Sequence, residues 1–145
     1  MATATVYNSY KTKLLDSSTK IDLSSDTIKL ALVTSSYTPN IDTHDFWDDV
    51  SADEASGTGY TAGGQALANK TVTTDTTNDN GKFNADSVSW TISSAFSARY
   101  AVLYKSTGTA STSPLIGYID FGSTYALSSG TLTITWSAHG VLTVA

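Results

Sequence analysis

VSWTI, residues 88–92, decides the fold class. Val88, Trp90 and Ile92 are apolar and alternate with Ser89 and Thr91. A period of two fits a strand with one face in a core and the other in water. On a helix, Trp90 would point away from Val88 and Ile92. TLTITW, residues 131–136, repeats the pattern with Leu132, Ile134 and Trp136. RYAVLYK, residues 99–105, repeats it with Tyr100, Val102 and Tyr104.

Further strands lie to either side. In TIKLALVT, residues 27–34, Ile28, Leu30 and Leu32 alternate, while Ala31 and Val33 make the second face apolar too. That pattern predicts a strand covered on both faces. KTVTT, residues 70–74, reads as a strand. Asn80-Gly81 follows, a dipeptide that favours a type I′ hairpin turn, with the return strand starting at Lys82-Phe83. LIGYIDF, residues 115–121, places Leu115, Ile119 and Phe121 on one face, and GVLTVA closes the chain. STGTASTSP (106–114), GSTYALSSG (122–130) and SAHG (137–140) read as turns.

Seven or eight short strands predict an all-β fold, a single-domain antiparallel β-sandwich spanning residues 1–145, built as a jelly roll or a related Greek key. Its expected core is Leu30, Leu32, Val88, Trp90, Ile92, Val102, Leu132, Ile134 and Trp136. Ahead of the strands, Val6, Tyr10 and Leu14 are spaced i, i+4, i+8, with Tyr7 and Lys11 beside them. This predicts a short N-terminal helix or arm within residues 1–16, packed on the sheet or on a neighbour and ended by Asp16-Ser17-Ser18.

Composition narrows the function classes. An apolar fraction of 40% is too high for a disordered chain. Net charge is −5, and the eight Lys and Arg are scattered, so no basic patch is available to displace counterions from nucleic acid. An anionic membrane surface would repel the chain, and no apolar run is long enough for a span. MATATVYNSY has neither a basic nor an apolar leader segment, so no signal peptide is expected. There is no Cys, hence no disulfide, thiolate metal site or thiol nucleophile.

The densest chemistry lies in Thr43–Gly64. Six of the thirteen acids fall between Asp42 and Glu54, with His44 among them. A zinc site wants about four tetrahedral ligands. His44 beside solvated Asp42, Asp45, Asp48 and Asp49 reads instead as a polar turn, and His139 is far along the chain. Residues 73–82 resemble a calcium loop only superficially, because Thr76 and Ser87 stand where an EF-hand needs Asp and Glu. Gly57, Gly59 and Ala62 match G-x-G-x-x-A, but no strand precedes them and no helix follows. They read as a loop needing positive φ or close backbone approach. A Ser-His-Asp triad would have only two candidate bases, and no G-x-S-x-G elbow occurs. No metal, cofactor or catalytic activity is therefore expected.

The aromatics remain. Phe46, Trp47 and Val50 would fall within one short helical turn, with Thr43 able to cap it. Burying an indole removes about 150–250 Å² from water, worth roughly 4–6 kcal/mol. Such rings belong in a core or in a contact with another chain. Acids beside them make deep burial of the whole segment costly. The segment is therefore expected to form a rim interface, with Phe46 and Trp47 turned in and the Asp groups out. Tyr60 and Gly63 would lie in a glycine-rich stretch that approaches a neighbour closely.

IKLALVTSSYTPN, HDFWDDV, SGTGYTAGGQAL, ARYAVLYKSTGTASTSPLIGYIDFGS and ITWSAHGVLTV resemble a family of small structural proteins of tailed bacteriophages. The resemblance runs from about Tyr7 to Val144, with GTGYTAGG and RYAVLYK its most specific blocks. It carries no catalytic motif. It implies a virion component without enzyme activity, as in some phages a head decoration (cement) protein bound to the major capsid protein, and by the same resemblance a homotrimer. Such a protein would be made in the host cytoplasm and lie on the capsid surface. A tail, baseplate or fibre-associated part is the alternative, and a carbohydrate-binding sandwich a third.

Overall fold

Ile28–Val33 (β2) is the hub, buried along its length except at Lys29. The computed structural model describes residues 2–16 and 19–145. Around β2 it places β1 (Thr5–Val6), α1 (Asn8–Leu15), β3 (Gln65–Ala66), β4 (Thr71–Asp75), β5 (Asn80–Asn84) and β6 (Val88–Ile92). β7 (Phe96–Lys105), β8 (Leu115–Leu127), β9 (Gly130–Ile134) and β10 (Leu142–Val144) complete the set. The chain is an all-β antiparallel sandwich with a short N-terminal helix, as expected.

The large sheet has the order β1-β8-β7-β2-β3. The facing layer consists of two small sheets, β10-β5-β4 and β6-β9. Residues 85–87 carry β5 into β6, and residues 135–141 carry β9 into β10. The small sheets are thus two halves of one bent ladder, with Phe83 opposite Leu142 and Val88 opposite Ile134.

Strand alternation creates two cores. Leu30, Leu32, Leu103 and Ile116 of the large sheet meet Trp90, Ile92, Leu132, Ile134 and Trp136 of the facing layer. Ala31, Val33, Tyr100, Val102 and Tyr104 point the other way and pack with Tyr7, Tyr37, Trp47 and Val50. β2 is covered on both faces, as its sequence predicts. All nine expected core residues are buried. Val102, however, belongs to the second core, because β7 pairs residue for residue with the two-faced β2.

Five local expectations are corrected. Val6 is not helical; it pairs with Gly117 on the edge of β8, so α1 begins at Asn8. The helix buries Tyr10, while Leu14 is 47% exposed, so the apolar stripe is shorter than its spacing suggests. The helix ends at Leu15 with Asp16 as its C-cap, at the start of the expected stop, while Ser17 and Ser18 lie outside the described residues.

The hairpin turn is Thr76–Asp79 rather than Asn80-Gly81, which are already the first residues of β5. The Asp75 carboxylate accepts the Thr77 and Asn78 N–H groups at 3.0 and 3.2 Å and the Asn78 side-chain amide at 2.8 Å. Asp79 adopts the left-handed conformation, φ 52°, that the dipeptide would have supplied.

Leu115 and Ile119 lie in different cores. A register shift opposite Leu103 and Tyr104 accounts for this, since one extra residue turns the following side chains over. β8 then runs on through Tyr125 to Leu127, across most of what reads as a turn, because Ala98 and Phe96 of the long β7 pair with it there.

Candidate functional site

The acid-rich segment is fixed to the large sheet before its chemistry begins. Leu115 N–H donates to the Asp45 carbonyl at 2.9 Å, and Trp47 N–H donates to the Ser113 carbonyl at 2.8 Å. The Asp49 carboxylate accepts the Asp45 N–H at 2.9 Å and the Phe46 N–H at 3.4 Å, closing a 3-10 turn over Trp47–Asp49. Thr43 does not cap this turn; Asp49 holds it from within. Burial opposes ionisation of Asp49, but the two N–H groups outweigh it and its carboxyl lies below the ordinary value. Asp45 moves the other way, raised by burial and by the nearby Asp49 charge.

Trp47 closes the second core. It is 6% exposed and stacks on Tyr104, with centroids 4.5 Å apart and planes 7° from parallel. Phe46 is half-buried, with the Lys13 ammonium 5.3 Å from its ring centroid. Asp48 and Asp49 are exposed. Trp47 is turned in and Asp48 and Asp49 are turned out, as expected, while Phe46 is turned in only in part. The surface that covers Trp47, however, is Tyr104 of the same chain.

His44 is half-buried rather than part of a solvated turn. Its Nδ1 lies 2.9 Å from the Tyr37 hydroxyl, which lies 2.8 Å from the Tyr7 hydroxyl. Nδ1 also accepts the Asn40 N–H at 3.4 Å. An acceptor Nδ1 puts the neutral ring's proton on Nε2, with Tyr37 donating to His44 and Tyr7 donating to Tyr37. Burial pushes the Tyr37 hydroxyl up to about 12 and the Tyr7 hydroxyl further.

Beyond the turn the segment reaches the other core. Tyr60 packs 5.5 Å from Phe96 and 6.1 Å from Trp90, centroid to centroid. Its hydroxyl donates to Glu54 Oε1 at 2.6 Å and accepts the Leu32 N–H at 2.9 Å. The same carboxylate oxygen accepts the Gly63 N–H at 2.6 Å, and the Gly63 carbonyl accepts the Tyr104 hydroxyl at 2.6 Å. Burial first, and the Glu54 hydrogen bond second, raise the Tyr60 hydroxyl well above its usual value. Glu54, the chain's single glutamate, thus clasps the glycine loop to β2 and β7.

The glycines make the close approach predicted for them, but to the chain itself. A Cβ on Gly64, at φ +77°, would lie 2.1 Å from the Leu30 carbonyl oxygen. One on Gly59, at φ +99°, would lie 1.9 Å from that of Thr91. The loop therefore lies against β2 on one side and β6 on the other.

Of the four expected interface residues, the fold places Trp47 in the second core and Tyr60 against the first. It uses both backbone polar groups of Gly63 internally and leaves part of the Phe46 ring in solvent. The premise that the acids in this segment keep its rings from burial within the chain does not hold for Trp47, nor for the largely covered Tyr60. The Glu54–Tyr60–Gly63–Tyr104 network and the Tyr7–Tyr37–His44 chain were not foreseen. The one signal in the sequence was Glu54 itself, a lone glutamate three residues ahead of Gly57.

Among the described residues no three His, Asp or Glu side chains converge as a metal site would require. No helix there is long and apolar enough to cross a membrane. Comparison with known protein families, characterised proteins and solved structures finds no match.

Proposed function

We propose that this chain is a non-enzymatic structural protein of a tailed-bacteriophage virion, a decoration (cement) protein that binds the major capsid protein on the outside of the head. The sequence blocks quoted above support the reading. On the geometric side one observation carries it. Polar groups of the most chemically dense segment are engaged in bracing its loops internally: Asp49 to Asp45 and Phe46, His44 to Tyr37, and Glu54 to Tyr60 and Gly63. This is a construction for rigidity. With Ser89, Thr91, Thr131 and Thr133 outermost on the facing layer, it gives a stiff plate with a neutral hydroxyl-rich exterior.

Assembly as a homotrimer on the shell belongs to the same proposal. With Trp47 buried and Tyr60 largely covered, Phe46 and the exposed Asp48 and Asp49 are among the residues of the segment available to a neighbour. Phe46→Asp should then weaken shell binding while leaving the melting temperature within a few degrees of wild type.

Copy number in purified particles tests the assignment. Hundreds of copies per particle agree with a shell position. A handful would move the protein to the tail, and absence from washed particles would end the virion reading.

A further inference from the structure

We infer that the slot between β8 and β9 accepts one extended polypeptide strand, an arm of a partner protein, and that this arm completes the sandwich. The slot encloses about 750 Å³. Its floor is Ile119, Leu132 and Ile134 of the first core, and Tyr125, 52% exposed, stands on its wall.

The backbone defines what fits. β9 has β6 on one side and no strand on the other among the described residues. The Thr135 carbonyl turns away from β6 to accept the Ala2 N–H at 2.8 Å. Successive residues of a strand turn their backbone polar groups to opposite sides. Thr133 and Thr131 therefore present theirs to the same side as Thr135, into the slot. The Ser89 and Thr133 hydroxyls, 2.8 Å apart, agree with this, because side chains come closest at the non-hydrogen-bonded pairs of an antiparallel ladder. Across the slot, β8 pairs with β1 only at Gly117 and Tyr118 and continues to Leu127 with β7 alone. Two strand edges thus face one gap, above an apolar floor. A sugar or a small anion cannot match such a row of alternating donors and acceptors; an extended backbone can.

The direction is already set. Ala2 bridges Trp136 in parallel, with the Ser137 N–H donating to the Ala2 carbonyl at 3.0 Å. An incoming strand would continue this ladder along Thr133 and Thr131, with alternate small or β-branched apolar side chains on the floor.

The described segments of the chain are engaged elsewhere, which favours a different protein as donor. The arm from Ala2 to Val6 is bound to β8, to Trp136 and to Val141, and Leu142–Val144 is paired with β5. β4 has a free edge but is held in a sheet by β5, and a slot walled on two sides admits a single strand, not the edge of a sheet.

The test attaches a donor to the full chain. A seven-residue Thr-Val-Thr-Val-Thr-Val-Thr strand and a Gly-Ser linker are placed ahead of Met1, which raises the strand's effective concentration at the slot. Amide exchange is then read residue by residue. The unextended chain should exchange rapidly at Thr131 and Thr133. The extended one, still of unchanged oligomeric mass, should exchange about tenfold or more slowly there, and an extension with proline at alternate positions should not. Thr133→Pro, which removes a slot-facing donor, should abolish the protection at Thr131. Tyr125→Ser, on an exposed wall, should reduce it without altering the melting temperature. Unchanged exchange in the extended chain overturns the inference. So does slow exchange at Thr131 and Thr133 in the unextended chain together with a larger mass, which would make a second copy the occupant. Neither result bears on how many copies a virion carries.

Discussion

The Tyr60 hydroxyl links three parts of the molecule. It donates to Glu54, accepts from Leu32 of the central strand, and extends from a ring lying against Trp90 and Phe96. Tyr60→Phe keeps the ring and leaves the Leu32 N–H and one Glu54 contact without a partner, and is expected to cost about 1–3 kcal/mol. Chemical denaturation measures it, and a neutral result would mean that water replaces the hydroxyl at no cost. Gly64 is the least replaceable residue of the loop. In Gly64→Ala the new methyl carbon would overlap the Leu30 carbonyl at 2.1 Å on a backbone already at φ +77°. Here the expected result is little soluble protein, or a melting temperature many degrees lower. A variant that melts like wild type would show that β2 and the loop can separate freely.

Between elements, carboxylates act as local fasteners, and acid should release them. Asp22 accepts the Ser24 hydroxyl and N–H and the Ser25 N–H, which bring its carboxyl down to about 2. Its neighbour Asp26 accepts the Asp22 N–H and pairs with Lys105 at 2.9 Å, tying this turn to the end of β7. A folded pKa below the unfolded value of about 3.9 means that the stabilisation is present above about pH 4. It is lost as pH falls toward about 2, because the unfolded chain takes up the proton first. Asp22→Asn should flatten the acid limb of a melting-temperature profile over that window; an unchanged slope would mean the turn contributes nothing.

The same local bonding separates what is legible in the sequence from what is not. VSWTI and TLTITW are legible because burial on one face forces alternation, and the two-faced β2 because both faces are apolar. The Asn80-Gly81 turn fails because Asp75, five residues earlier, captures the loop first. The face of Leu115 fails because a one-residue bulge leaves no mark in composition. The segment 43–64 has no period at all. Its order comes from contacts such as Glu54 with Tyr60, Tyr60 with Leu32, and Trp47 with Tyr104, which only the folded topology brings together.

At the scale of the molecule, the large sheet is covered by strands on one face and largely by loops on the other, and tyrosines line both. Burial raises the hydroxyls of five of the eight tyrosines, to about 12 for Tyr10, Tyr37 and Tyr104 and further for Tyr7 and Tyr60. In the unfolded chain each ionises near 10. Unfolding therefore releases protons above that value, and stability should fall steeply as pH rises from about 10 to 12. The phenolate absorbance of these five rings should appear together with the loss of near-ultraviolet circular dichroism in one cooperative step; ionisation of all eight tyrosines with the dichroism intact would show these rings to be accessible. The central claim is that the acid-rich segment is a structural cover on the second face, with Trp47 stacked on Tyr104 as its anchor. Chemical denaturation of Trp47→Ala tests it most directly. The account predicts a loss of about 3–5 kcal/mol in a transition that stays cooperative, and a loss below about 1 kcal/mol would contradict it, since an indole that anchors a core cannot be removed so cheaply.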